Sequence, residues 1–404
     1  MIRRRSRRAQ ALRLIIVAAS IFSLVSCAPE SAGRPSALLS PAQSYPAPSL
    51  IDISGEGRFR VVVDKEPGQY LGHPTTVLLE DGRTIIAVYP KGHGAGPIVL
   101  KMSRDGGLTW GDRLPVPDSW STSKETPTIH RLLGPGDEKR LVLFSGLYPA
   151  RFSISEDGGR RWTPLEPVGD WGGIVVMASV VPLRTGRGRY LAMFHDDGRF
   201  FRKGGTAESP PLFTIYKTFS TDGGLSWSFP EPVFRSSVLH LCEPGAVRSP
   251  DGRELAALLR ENSRTRNSFV IFSRDEGLTW SEPRELPAPL TGDRHTAKYA
   301  PDGRLLVSFR DMGAESPWRG DWVAWVGRYE DIVAGREGQY RVRLADNTKD
   351  SDCAYPGVEV LPDGAFVLTT YGHWTAGQPP YIISVRFKLD DLDRLAGSAP
   401  APRK

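Results

Sequence analysis

Five of the seven histidines, His73, His93, His195, His295 and His373, fall at or beside the ends of short apolar stretches. They share those positions with Glu125, Glu243, Arg260, Arg294, Arg310 and Tyr355. Histidine carries or releases a proton near neutral pH, and a guanidinium fork grips an anion through two parallel hydrogen bonds. Together these types suit proton transfer on a polar or anionic ligand. A regular spacing ties them together. Eight residues before the turn aspartates Asp81, Asp251, Asp302 and Asp363 stand His73, Glu243, Arg294 and Tyr355, while Glu125 opens the equivalent stretch of the second repeat, ahead of Thr126-Pro127-Thr128-Ile129. The stretches that follow the turns end at Tyr89, Ser145, His195, Arg260, Arg310 and Tyr371. In an antiparallel hairpin the start of one strand and the end of the next lie at one edge. All these residues are therefore expected on a single rim, where convergent polar groups make the default candidate site.

The elements that must hold them are strands. Turns at Glu80-Asp81-Gly82-Arg83, Pro250-Asp251-Gly252-Arg253, Pro301-Asp302-Gly303-Arg304 and Pro362-Asp363-Gly364, with looser versions at Gly136-Asp137 and Thr185-Gly186, mark six hairpins between residues 73 and 371. Runs such as Val77-Leu78-Leu79 and Ile85-Ile86-Ala87-Val88 flank them, and no long helical period appears. A second repeat, S-x-D-x-G-x-x-W, starts at Ser103, Ser155, Ser220 and Ser273 and ends at Trp110, Trp162, Trp227 and Trp280. Asp and Gly suit a tight turn, and the tryptophan packs that turn onto its sheet. Repeats at this spacing predict an all-β fold, a six-bladed β-propeller. The strand Phe59 to Val63 is expected to close the ring against Tyr381 to Phe387. The tryptophan turns should lie on the rim opposite the histidines.

The S-x-D-x-G-x-x-W turns resemble the Asp-boxes of sialidases, in which they are structural. Over most of residues 55–390 the chain is similar to that family, also called the neuraminidase superfamily. Cys242-Glu243-Pro244, followed by Leu258-Leu259-Arg260, looks like the segment carrying the family's glutamate and a carboxylate-binding arginine. Cys353-Ala354-Tyr355 looks like the segment carrying its tyrosine nucleophile, and Arg319 lies where its last arginine would fall, with Arg294 and Arg310 as competitors. The resemblance implies an exo-α-sialidase-like retaining glycoside hydrolase that releases a terminal acidic (2-keto acid) sugar from glycans. A sugar with a carboxylate at its anomeric carbon repels a carboxylate nucleophile, whereas a tyrosine deprotonated by glutamate does not. Two displacements through a glycosyl–tyrosine intermediate give net retention. The chain departs from the family twice. Gly72-His73-Pro74 stands where an Arg-Ile-Pro motif is expected, so His73 is the stand-in anion binder. The loop Tyr89 to Pro97 lacks the acid/base aspartate, leaving His93 or, from the third blade, Asp196 or Asp197 as proton donor. Glu125, His195, His295 and His373 complete the expected substrate-binding rim. A uronate-directed polysaccharide lyase and a non-catalytic glycan-binding propeller are the alternatives on the same fold.

Residues 1–13 carry six arginines and no acid, and a short apolar run follows from Leu14. This reads as an export signal, too short to span a bilayer. Leu24-Val25-Ser26-Cys27 looks like a bacterial lipobox, so residues 1–27 are expected as a lipoprotein signal with Cys27 the lipidated residue. The expected product is an exported lipoprotein of the cell envelope. Residues 28–54, rich in Pro, Ser and Ala, are expected as a disordered tether, 55–392 as the propeller, and 393–404 as a disordered tail. The formal charge of +6 equals the six arginines of the leader, so the remainder is neutral and favours neither nucleic acid nor a membrane surface as partner. Membrane contact is expected only through the lipid, and the protein as a monomer. No H-x-H or H-x-x-x-H spacing supports a metal site, and no cofactor is expected. Cys242 and Cys353, in blades four and six, are expected as free thiols.

Overall fold

Strands such as Ile85–Pro90 and Leu255–Glu261 are apolar on both faces. A strand of this kind is stable only where both its faces are covered, and a ring of radially packed sheets covers them. The computed structural model describes residues 48–398. It forms six antiparallel sheets in chain order, each a blade. Blade one has Thr75–Leu78, Ile85–Pro90 and Ile98–Ser103. Blade two has Thr128–Leu133, Lys139–Ser145, Arg151–Ser155 and Glu166–Pro167. Blade three has Ile174–Pro182, Tyr190–Asp196, Phe213–Ser220 and Glu231–Ser236. Blade four has Leu241–Arg248, Leu255–Glu261, Phe269–Ser273 and Arg284–Glu285. Blade five has Gly292–Tyr299, Leu305–Asp311, Trp322–Gly327 and Tyr340–Ala345, and blade six has Gly357–Val360, Phe366–Gly372 and Tyr381–Phe387.

The core lies between blades. Leu191, Met193 and Ile215 of blade three pack with Leu255, Ala257 and Ile271 of blade four. Trp322, Ala324 and Val342 of blade five pack with Phe366, Leu368 and Ile383 of blade six. Each of the leucine, isoleucine, valine, methionine and phenylalanine side chains among them contributes about 1.5–3 kcal/mol by leaving water. The ring closes as expected: Arg60–Asp64 pairs antiparallel with Tyr381–Phe387, Arg60 opposite Val385 and Val62 opposite Ile383.

The Asp-box turns are self-contained. Ser103 Oγ accepts the Gly107 N–H at 2.8 Å and donates to Asp105 Oδ1 at 2.9 Å, and Asp105 in turn accepts the Thr109 N–H at 2.9 Å. Each box also clamps the preceding blade. Gly224 has φ +89, and a Cβ there would meet Leu132 Cδ1 of blade two at 2.4 Å. Trp162, Trp227 and Trp280 donate Nε1–H to the carbonyl of their own box glycine. Trp110 instead reaches across the closure to Ser384 Oγ at 3.3 Å.

Two terminal expectations need correction. Ser49–Asp52, read as tether, adds a strand parallel to Tyr340–Ala345 of blade five, with Ile51 buried. Leu389–Ser398, read mostly as tail, is a helix; its Asp393 is bound by Arg304 at 2.7 and 2.8 Å and by Tyr340 at 3.0 Å. A second short helix, Tyr329–Ala334, joins the outer strands of blade five. Cys27 and the leader lie outside the described residues.

Candidate active site

The innermost strands of blades three, four and five lose register near their start, between Ile174 and Ser179, Cys242 and Gly245, and Asp293 and Thr296. In each slip one residue takes the left-handed backbone conformation: Val175 (φ 51), Glu243 (φ 52) and Arg294 (φ 57). His73 (φ 50) and Ala354 (φ 56) stand at the corresponding places in blades one and six. A bulge re-aims a side chain, and a non-glycine residue held there stores about 1–3 kcal/mol. Here the bulges open onto a cavity of about 410 Å³. The eightfold spacing from the turn finds this bulge in blades one, four and five. In blade six it lands on Tyr355, one residue beyond.

Tyr355 and Glu243 meet in this cavity. Tyr355 Oη donates to Glu243 Oε1, and Arg260 Nη1 donates to the same Glu243 oxygen at 2.8 Å and to Tyr355 Oη at 3.1 Å. Burial alone would raise the Glu243 carboxyl, but the Arg260 guanidinium beside it and the Tyr355 hydrogen bond hold it below the usual range. Burial and the Glu243 charge push the Tyr355 phenol up, so the resting pair is a carboxylate accepting from a neutral phenol. Glu243 Oε2 is buried without a protein partner. The Glu243 N–H donates to His195 Nδ1 at 3.3 Å, which braces the left-handed peptide.

Beneath the pair lies a carboxylate that sequence reasoning missed. Asp293 is fully buried and draws in three arginines. Arg264 binds it through both terminal nitrogens, Arg310 Nη1 at 3.1 Å, and Arg260 Nε at 3.3 Å. Burial opposes its ionisation, yet Arg260, Arg310 and Arg264 keep it ionised. Arg310 also donates Nε–H to the Cys353 carbonyl at 2.7 Å and lies over the Tyr355 ring at 5.2 Å. Arg294 is buried and donates Nη1 to the Ala178 carbonyl at 2.7 Å. Burial lowers its pKa, and the Glu243 carboxylate nearby opposes that shift.

A second hub, also missed, is Asp352. It accepts from Tyr70 Oη at 2.7 Å and Tyr371 Oη at 3.2 Å, and pairs with His93 Nδ1 at 3.3 Å and His373 Nε2 at 3.1 Å. Those bonds outweigh burial and hold its carboxyl well below the usual range. Its signal in the sequence was its place three residues before Tyr355, in a loop to which no register applies.

Several expected site residues do other work. Arg319 donates to the carbonyls of Met312 (2.5 Å) and Gly313 (3.3 Å) in its own loop. Asp196 caps the loop after its strand, accepting the N–H of Gly198 and of Phe200, although burial raises its carboxyl to about 6. His295 is buried against Phe309 with Nε2 2.8 Å from the Leu290 carbonyl. His373 supports Asp352 and is itself buried. His73 lines the cavity, yet burial, reinforced by His93 and Arg310, lowers its pKa far below the ordinary value. Its Nδ1 accepts the Gly94 N–H at 3.1 Å and its Nε2 meets Tyr371 Oη at 3.1 Å, so a neutral ring fits and the imidazolium expected there does not. His195 is likewise pushed down to about 4 by burial. Cys242 and Cys353 are free and buried. Among the described residues no group of three His, Cys, Asp or Glu side chains is placed to hold a metal ion.

A six-bladed propeller with Asp-box turns and a Tyr–Glu–Arg cluster at the opposite rim defines a sialidase-like propeller. The chain belongs to the BNR repeat-like domain family, whose model matches residues 153–367. No curated protein matches it. Solved structures share the fold. A Dyadobacter fermentans protein of unknown function aligns with TM-score 0.63 at 17% identity, covering 81% of this chain and 97% of that one. The intramolecular trans-sialidase of Ruminococcus gnavus, in complex with oseltamivir carboxylate, aligns with TM-score 0.52 at 16% identity, covering 80% and 95%. A leech intramolecular trans-sialidase complexed with 2,7-anhydro-Neu5Ac aligns with TM-score 0.54 at 15% identity, covering 82% and 69%.

Proposed function

We propose that the protein is a retaining exo-glycosidase that releases a terminal acidic sugar from glycans, with Tyr355 as nucleophile and Glu243 as its base. The observation that carries this reading is the contact of Tyr355, Glu243 and Arg260 at one cavity, built from blades four and six. Glu243 takes the phenolic proton as Tyr355 Oη attacks the anomeric carbon, and returns it when water displaces the tyrosine. Arg260 compensates the charge on whichever partner carries it.

Charge supports an anionic substrate. Four guanidinium groups, of Arg260, Arg264, Arg294 and Arg310, surround Tyr355 and Asp293. They outnumber the carboxylates of Glu243, Asp293 and the more distant Asp352. A ligand carboxylate would offset the remainder. The test is incubation with α-linked sialic acid glycosides and related 2-keto acid glycosides, following free sugar. Release by the wild type and loss in Tyr355→Phe support the reading. An unsaturated product absorbing in the ultraviolet would mean elimination, and binding without turnover would mean a lectin-like role; either overturns it.

The leader adds a location. We propose that Cys27 anchors the protein to the cell envelope as a lipoprotein. The wild type should then partition into detergent and Cys27→Ala into the aqueous phase, whereas equal partitioning would sink the idea.

A further inference from the structure

A tyrosine–glutamate pair accounts for only one half of a glycoside hydrolysis. The departing oxygen needs a proton, and the water that follows must lose one. The blade-one loop, residues 89–97, contains no acid. Among the carboxyls lining the cavity, Glu243 is taken by Tyr355 and Arg260, and Asp197 by Arg199 at 2.6 Å. The third is Glu125.

Glu125 sits at the head of blade two, just before Thr128–Leu133, partly buried in the cavity wall. The N–H of Val175 donates to its Oε2 at 2.9 Å. Val175 is the blade-three counterpart of Glu243 and Arg294, so the same bulge that aims those two side chains here fixes a carboxyl on the neighbouring blade. Glu125, Glu243 and Tyr355 thus come from blades two, four and six, every second blade round the ring, and line one cavity. We propose that Glu125 is the general acid/base of the hydrolysis, resting on the function proposed above.

The two carboxyls of the cavity are driven apart. Burial raises Glu125 to about 7, against the opposing N–H groups of Thr126 and Val175, while Glu243 stays ionised beside Arg260. Environments that separate two acids in this way assign one as acid and the other as base. The charged and titratable groups that share the cavity with Glu125 are Lys124, His73, His93, His195, the Asp197–Arg199 pair and the Glu243–Arg260–Tyr355 cluster, and Arg294 acts on it from outside the lining. In the first step the glycosidic C–O bond breaks as Tyr355 Oη bonds to the anomeric carbon. The tyrosine proton goes to Glu243, and the Glu125 proton goes to the leaving oxygen. In the second, Glu125 as carboxylate takes a proton from water, whose oxygen bonds to the anomeric carbon. Tyr355 leaves and recovers its proton from Glu243, so one water is consumed.

The test compares two glycosides of the same acidic sugar, one with a poor alkyl leaving group and one with a good aryl leaving group, in wild type, Glu125→Gln and His93→Gln. Glu125→Gln should lose about 10²-fold or more on the alkyl glycoside and far less on the aryl one. Azide should accelerate it and yield a glycosyl azide of retained configuration, and the decline of wild-type activity above about pH 7 should vanish. Should Glu125→Gln fold poorly, Glu125→Asp, with the acid drawn back by one methylene, should show the same leaving-group signature in milder form. Equal losses on both glycosides, without an azide effect, would reduce Glu125 to a structural role. The signature in His93→Gln instead would move the proton to His93. A wild type that cleaves neither glycoside would bring down the proposed function and, with it, the role of Glu125.

Discussion

The two rims of the ring solve the same backbone problem in opposite ways. On the Asp-box rim the left-handed positions belong mostly to glycine, Gly107, Gly159, Gly224 and Gly277 at φ 82, 86, 89 and 86, with Glu276 (φ 60) the exception inside a box. The N–H groups of these glycines are satisfied within the turn by the box serine. On the cavity rim the left-handed positions belong to His73, Val175, Glu243, Arg294 and Ala354, four of them with side chains larger than a methyl. Glycine would relieve that strain at about 1–2 kcal/mol per residue, but it would remove the side chains of His73, Val175 and Glu243 that line the cavity. Where a turn only has to hold the fold, the strain is avoided. Where a side chain has to point at the axis, the strain is kept and braced, as the Glu243 peptide is by His195.

If that contrast is correct, substitutions on the two rims should separate activity from stability. The largest effect is expected at the pair itself. Glu243→Gln and Tyr355→Phe should each lower kcat by about 10²–10⁴-fold while remaining folded. The double variant should lose little more, because the residues act as a unit; additive losses would divide the unit. Next comes Asp293→Asn. Leaving buried Arg310 and partly buried Arg260 and Arg264 without their shared anion should cost about 3–5 kcal/mol in denaturant unfolding, and a loss below about 1 kcal/mol would show that the arginines rearrange freely. On the other rim, Asp222→Ala removes the acceptor for Ser220 Oγ and for the N–H and Oγ of Ser226. It should cost about 1–3 kcal/mol of stability with kcat per folded molecule unchanged. A fall in kcat would mean that the rims are coupled. The smallest effect is expected for Ala354→Gly, at φ 56. An ordinary buried alanine loses stability on this change, but here relief of strain should leave unfolding within about 1 kcal/mol of wild type or above it.

The blades were legible because their turns repeat, and in blades one, four and five the turn lies eight residues from the left-handed residue of the inner strand. That distance also delivered Glu243 and Tyr355, and the end of the strand after the turn delivered Arg260; the three meet although 112 and 95 residues separate Tyr355 from the other two. Asp293 escaped notice because it sits one residue off the ruler, beside Arg294, and its partners come from two other strands, Arg260 and Arg310, and from the loop after Glu261, Arg264. Asp352 and Arg319 lie in loops, where no register constrains a side chain. His73, His93 and His195 line the cavity, but His73 was read as an anion binder and His195 as a substrate contact. At His73 and His195 the ring nitrogen instead accepts a backbone N–H, a use that composition cannot distinguish. The strand Ser49–Asp52 has no pattern of its own, since an edge addition depends on the partner it joins.

That same strand lies at the outer edge of blade five, beside Tyr340–Ala345. Tyr340–Ala345 runs from the Asp-box rim toward the cavity rim, and Ser49 stands opposite Tyr340 in parallel register. The chain therefore enters the fold on the far side from the cavity mouth. None of its four residues lines the cavity, so this addition to the edge of blade five leaves the mouth clear.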